Sequence, residues 1–219
     1  MTPYTTLYDD VLPELPGAEP ALALHHIKRA CNDFYERSLY SRETLAGQTI
    51  TINVATYSVA ASDPSNFSCG KSLEVSFWDA SGSMTKPKSL TPRTREQLTY
   101  EMPDWSTRTG TPSAYTQPAI DRVTLAYTPD ATYTGGLVVT IAKLPIYAGA
   151  GIDDAVFDKF NEVLAYGAKA RMMRMPKKSW SNPKLADEYR MMFDQEVGNA
   201  AAIAAKGYGR APLRTRAYG

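Results

Sequence analysis

The chain has 219 residues and a formal net charge of +1, long enough for one or two domains that bury roughly 70 % of the unfolded surface, with no bulk pull towards nucleic acid or an anionic membrane. Two widely separated cysteines, Cys31 and Cys69, point to free thiols in a reducing cytoplasm rather than a disulfide framework. No run of about 18 apolar residues exists to span a bilayer, and no charged segment leading into an apolar run opens the chain, so no secretory signal is expected.

In chain order, Leu12-Pro13-Glu14-Leu15-Pro16-Gly17 predicts a braced, extended arm over residues 1–17. Leu24, Ile27, Cys31 and Phe34 then recur at helix period, and a helix is expected from about residue 19 to about 44. From Gln48 the period switches to two. Ile50, Ile52 and Val54 predict a half-buried strand, residues 61–71 a loop, and Leu73, Val75 and Phe77 a second strand, with a turn near 79–82. Thr91-Pro92 offers a cap for a short helical piece through Leu98. Residues 102–119 are rich in Pro, Thr, Ser and Gly, and carry Trp105 and Tyr115. Val123, Leu125 and Tyr127 predict a third strand, and Leu137, Val139 and Ile141 a fourth that ends at Leu144-Pro145.

The last third reads as two helices. Asp153 is placed to cap the first, with Ile152 and Phe157 as a hydrophobic staple and Val156, Phe160, Val163, Gly167 and Ala170 as its stripe. Met175-Pro176 ends it. Asn182-Pro183 restarts a helix whose stripe is Leu185, Tyr189, Met192, Ala200 and Ile203, with Gly207 as its C-cap. The fold class is therefore α+β. Residues 1–46 form an arm and first helix, and 47–145 an inserted antiparallel β domain. Residues 146–206 supply the helix pair that completes a three-helix layer, and 207–219 an extended C-terminal tail.

Enzyme chemistry finds no foothold. His25 and His26 are neighbours that point about 100° apart on a helix, so they cannot form one metal face. There is no His-x-x-x-His, no Cys-x-x-Cys, no Gly-x-Ser-x-Gly and no phosphate-binding glycine loop. No cofactor, metal or catalytic residue is expected. The charge, however, is segregated. Residues 1–20 carry Asp9, Asp10, Glu14 and Glu19 without a cation. Lys169, Arg171, Arg174, Lys177, Lys178 and Lys184 run without an acid, and so do Lys206, Arg210, Arg214 and Arg216. The basic run reads either as a solvated helix end or as a docking surface for an acidic neighbour, such as the N-terminal segment of another copy. The tail carries Tyr208, Leu213 and Tyr218 among glycines and arginines. It suits grooves on another protein, or single-stranded nucleic acid.

The order of parts resembles a known family. A Leu-Pro-x-Leu-Pro-Gly arm at 12–17 runs into an amphipathic helix. Trp105 and Gly110-Thr111-Pro112-Ser113-Ala114-Tyr115 lie in a Pro-rich loop, and Leu-Ala-Tyr-Thr-Pro ends a strand at 125–129. The helix pair carries Tyr166-Gly167-Ala168-Lys169-Ala170-Arg171, Pro176, Trp180 and Tyr189 to Phe193. This is similar to the head-to-tail adaptor (connector) proteins of short-tailed bacteriophages, such as tail tubular protein A. The resemblance implies a structural virion protein, made in the host cytoplasm and placed in the neck or tail. It implies a ring of usually twelve copies beneath the portal, bound below to nozzle or fibre proteins, with double-stranded DNA passing through without sequence-specific contacts. It implies that the tail reaches the portal, which assigns Tyr208, Arg210, Leu213, Arg214, Arg216 and Tyr218 to portal binding. A ring needs two different surfaces of one subunit to meet, and Asp9, Asp10 and Glu14 opposite Lys169, Arg171, Arg174, Lys177 and Lys178 are such a pair. Two other readings are a nucleic-acid-binding protein using the basic turn and tail, and a carbohydrate-binding tail module using Trp105 and Tyr115.

Overall fold

The computed structural model describes residues 1–79 and 87–207. The chain divides into two compact units, one combining Met1–Tyr40 with the chain from Ala150 onward, the other formed by Ser41–Gly149.

The chain opens with β1 (Thr2–Pro3), a 3-10 turn at Tyr4–Leu7, helix α1 (Tyr8–Val11) and a second 3-10 turn at Leu12–Glu14. An extended arm was expected here, and the segment instead coils. Tyr4, Leu7, Val11 and Leu15 are all buried, and helical turns put residues three and four apart on one side. Pro13 falls in the first turn of its 3-10 helix, where the missing N–H has no partner to lose.

Helix α2 (Pro20–Ser38) stops six residues before the expected end. Leu39 turns left-handed (φ 49°) and donates its N–H to the Tyr35 carbonyl at 3.1 Å, and Arg42–Thr44 leaves as strand β2. Strand β3 (Gln48–Ile50) also ends early. Asn53 is left-handed (φ 62°), and the Tyr57 hydroxyl donates to the Val54 carbonyl at 2.5 Å. This turn leaves Ile52 and Val54 47 % and 40 % exposed, although the alternation placed them inward.

Strands β4 (Thr56–Ser58), β5 (Phe67–Phe77), β6 (Lys88–Ser89) and β7 (Thr91–Pro92) follow. The turn expected near 79–82 lies almost wholly outside the described residues. Helix α3 (Arg95–Glu101) is capped by Thr94 rather than Thr91, because Thr94 and Gln97 satisfy each other's backbone N–H in a capping box. Strands β8 (Ala114–Ala119), β9 (Arg122–Ala126), β10 (Tyr133–Pro145) and β11 (Gly151–Ile152) precede helices α4 (Asp154–Met173) and α5 (Pro183–Lys206).

In the β unit, β10 is the long central strand. It pairs antiparallel with β2, β3 and β5, and β6 extends the sheet beyond β5. A second sheet runs β4-β9-β8-β7. Its β7–β8 pair is parallel, not antiparallel as expected; α3 lies between these strands in sequence and supplies the crossover that a parallel pair needs. Strand β5 starts well before the expected Leu73 and carries two irregularities against β10, where Gly70 and Leu73 fall out of register. Each extra residue reverses the side-chain parity. The inward set therefore runs Phe67, Cys69, Ser72, Val75 and Phe77, and Leu73 is only half-buried.

In the helical unit, α2, α4 and α5 pack on one another, and β1 pairs antiparallel with β11. Val156, Phe160, Val163, Gly167 and Ala170 of α4 are all buried as the periodicity indicates. Asp153 occupies the N-cap position, but its side chain makes no capping hydrogen bond; its backbone N–H instead donates to the Tyr35 hydroxyl at 3.1 Å. The three helices meet at Gly167. A Cβ there would sit 2.7 Å from Phe193 Cε2 and 3.0 Å from Ala30 Cβ. Asn182 caps α5 by accepting from the Leu185 N–H at 3.2 Å, and Gly207 (φ 67°) ends it. The buried stripe of α5 is Ala186, Phe193, Val197 and Ala200. The expected Leu185, Tyr189 and Ile203 are only half-buried, and Met192 is 48 % exposed.

Candidate functional site: two charged faces of the helical unit

One face is built where α1 and the 3-10 turn after it meet α4 and α5. Glu14 accepts from Lys169 Nζ at 2.6 Å and from the Tyr189 hydroxyl at 2.5 Å. Lys169 is buried, with 8 % of its side chain exposed, and its ammonium lies 5.4 Å from the centre of the Tyr189 ring. Tyr166 and Tyr189 stack at 5.4 Å. Burial, then the hydrogen bond and charge of Glu14, push the Tyr189 phenol up to about 12. Asp10, Glu14, Glu162, Tyr166 and Lys169 line a cleft here of about 350 Å³, and Asp9 and Asp10 are exposed on α1. Glu14 and Lys169, two of the residues read as an intersubunit pair, thus close on each other within one chain.

The second face belongs to α2, α4 and α5. His26, Arg29, Ala170, Arg171, Arg174 and Arg190 line a cleft of about 310 Å³. Asp33 accepts from Arg171 at 2.8 Å and from Arg190 at 3.2 Å. Asp194 accepts from Arg190 at 3.0 Å and from Arg37 at 2.5 Å, and Arg174 pairs with Asp187. Arg171 Nε and His26 Nδ1 are buried with no hydrogen-bond partner. Arg171 and Arg174 were read from the sequence. His26, Arg29 and Arg190 were not, because they reach the cleft from other helices and only the packing groups them.

Lys177 and Lys178 are exposed in the turn between α4 and α5, with Lys178 Nζ 5.6 Å from the Trp180 ring centre. Trp180 itself is buried, as core. Tyr208, Arg210, Leu213, Arg214, Arg216 and Tyr218 lie outside the described residues. In the β unit, Trp105 and Tyr115 border a cleft of about 790 Å³ with Lys71, Arg93 and Arg95. Tyr115 is only 4 % exposed, which leaves no open ring face for a sugar to stack on. Among the described residues no group of three or more His, Cys, Asp or Glu is placed to hold a metal ion, and no helix is long and apolar enough to cross a membrane. Cys31 and Cys69 are buried free thiols.

The family model described as SU10 adaptor protein matches residues 2–216. The chain belongs to the SU10 adaptor protein family. It is therefore a phage adaptor, a structural component of the virion that works among other head and tail components. No curated protein matches the adaptor's sequence.

A two-step acid response of the adaptor's stability is expected from the charged faces. Burial, then the nearby charges of His25, Arg29 and Arg171, hold the His26 imidazole below its ordinary 6.5. Just below that pH the unfolded chain binds more protons than the folded one, so stability begins to fall there. Burial acts to raise the Glu14 and Asp194 carboxyls. Hydrogen bonds from Lys169 and Tyr189 outweigh it for Glu14, as do those from Arg37 and Arg190 for Asp194, and both groups end below their ordinary 4.5 and 3.8. Their contribution is present above those values and is lost as pH falls through the lower folded ones. Thermal melts taken downward from neutral pH should show both declines. His26→Gln should remove the first and Asp194→Asn should shrink the second; unchanged profiles would contradict these assignments.

Proposed function

We propose that the adaptor forms a ring, of twelve copies by resemblance to tail tubular protein A, between the portal and the tail. Nozzle or fibre proteins bind below, and double-stranded DNA passes through the lumen without sequence-specific contacts. The helical unit, Met1–Tyr40 with the chain from Ala150, makes the ring, and the β unit, Ser41–Gly149, faces the tail side or exterior. The protein acts by shape and carries no catalysis. The observation that carries this reading is the extent of the family match, residues 2–216, which takes in both units and most of the tail.

The tail, residues 207–219, docks on the portal through Tyr208, Arg210, Leu213, Arg214, Arg216 and Tyr218. Its charge argues for a place against the portal and outside the DNA path. With Lys206 at the end of α5, Arg210, Arg214 and Arg216 in twelve copies would put ~48 positive charges around a duplex carrying one negative charge per about 1.7 Å, a brake on DNA exit. Deleting residues 208–219 should leave the far-ultraviolet spectrum and melting temperature unchanged and abolish attachment to portal-bearing heads. Normal attachment by the truncated protein would overturn the tail's role.

A further inference from the structure

We infer that the arginine cleft of α2, α4 and α5 is a socket for carboxylates, and that its occupant is the Asp9-Asp10 pair of a second copy of this chain. The inference rests on the ring reading and names the contact that closes it.

The cleft is overcharged as it stands. Four guanidiniums, of Arg29, Arg171, Arg174 and Arg190, line it, and no carboxylate does. Counting Arg37, five guanidiniums stand against the three carboxylates of Asp33, Asp187 and Asp194, which pair with four of them; two positive charges are left over. Arg29 is exposed and makes no ion pair with any described residue. Arg171 Nε and His26 Nδ1 are buried polar atoms without a partner, and such atoms call for one. Guanidiniums in this number suit a carboxylate, which accepts from them in pairs.

Asp9 and Asp10 are the complement. Both are exposed on α1, and neither makes an ion pair or hydrogen bond with a described residue. With Glu14 and Glu162 nearby, their face carries more acid than the single Lys169 can balance. They cannot fill the cleft of their own chain. At about 100° per residue, the α4 residues of the acidic face (Glu162, Ala165, Tyr166, Lys169) and those of the arginine cleft (Ala170, Arg171, Arg174) point roughly 140° apart. On α5, Tyr189 and Met192 point roughly 130° from Arg190 by the same spacing. Two complementary surfaces on nearly opposite sides of one subunit are what a head-to-tail contact requires, and repetition of such a contact closes a ring.

The test uses two charge-reversed full-length proteins, R29E/R174E and D9K/D10K, with folding checked by thermal melts and assembly read by electron microscopy and light scattering, with and without portal. Each alone should lose its rings while keeping its fold. Mixing the two should restore rings, since alternating subunits would again oppose Glu to Lys and Arg to Asp. Should R29E/R174E misfold, R29Q/R174Q takes its place and is expected to weaken assembly at least tenfold. Rings formed by R29E/R174E or D9K/D10K alone, or a mixture that stays apart, would overturn the socket. So would intact rings that merely lose affinity for a short DNA duplex, which would make a phosphate backbone the occupant. Absence of rings from the wild type itself would instead overturn the ring reading, and this contact with it.

Discussion

Replacing Phe193 with alanine is expected to destabilise the helical unit by about 3–5 kcal/mol, the usual effect of emptying a large aromatic site in a core. Phe193 is fully buried. It fills the space that Gly167 leaves open on α4, within reach of Ala30 on α2. The guanidiniums of Arg37 and Arg190 stand 5.9 and 5.5 Å from its ring centre, so the same truncation also loosens the arginines that hold Asp194. Met191 is the control: at 67 % exposure, its change to alanine should stay within about 0.5 kcal/mol. Urea unfolding followed by circular dichroism checks both, and a Phe193→Ala loss under about 1 kcal/mol would mean that α5 does not pack as described.

Removing Glu14 should have the second-largest effect, and it should be asymmetric. Lys169 keeps only 8 % of its side chain exposed, whereas Glu14 keeps 40 %. Glu14→Ala leaves a buried ammonium without its hydrogen-bonded carboxylate, beside the Tyr166 and Tyr189 rings. Breaking a fully buried pair costs about 3–5 kcal/mol; with one partner partly in water, about 2–3 kcal/mol is expected. Lys169→Met strands only the better-solvated carboxylate and should be milder, at about 1 kcal/mol. The double variant should lie closer to Lys169→Met than to the sum of the two, and a thermodynamic cycle over the four proteins measures this directly. Equal losses for the two single variants would refute the asymmetry.

The α+β class was legible because its periods are long and clean. Val156 to Ala170 of α4 and Leu137 to Ile141 of β10 are buried as their spacing dictates. Legibility failed where the spacing was hidden or local chemistry intervened. The prolines of the first 17 residues masked Tyr4, Leu7, Val11 and Leu15, whose three- and four-residue steps were there to be counted. On α5 Leu185, Tyr189 and Met192 drew the stripe to one side of its true line, which runs through Ala186, Phe193 and Val197 as well as the expected Ala200. The register shifts of β5 depend on a partner strand some 70 residues away, and no local pattern announces them. Charge segregation picked out acids and bases that do meet, but it could not say that Glu14 and Lys169 meet within one chain. Nor could it assemble a cleft from Arg29, Arg171 and Arg190 on three helices.

The helical unit is interrupted in sequence: α2 is made early, α4 and α5 only after the whole of Ser41–Gly149. A nascent adaptor therefore displays the apolar side of α2 while its partners are still unsynthesised, and bringing the two ends together across an unstructured loop carries an entropy penalty that grows with loop length. The intervening segment shortens that loop by itself. Arg42 is paired with Ala142, and the Lys143 N–H donates to the Ser41 carbonyl at 2.9 Å, so once the insertion has folded its two mouths lie side by side. The sheet thereby acts as a clasp, handing the ribosome-fresh C-terminal helices back to the waiting N-terminal one after a short search instead of a long one.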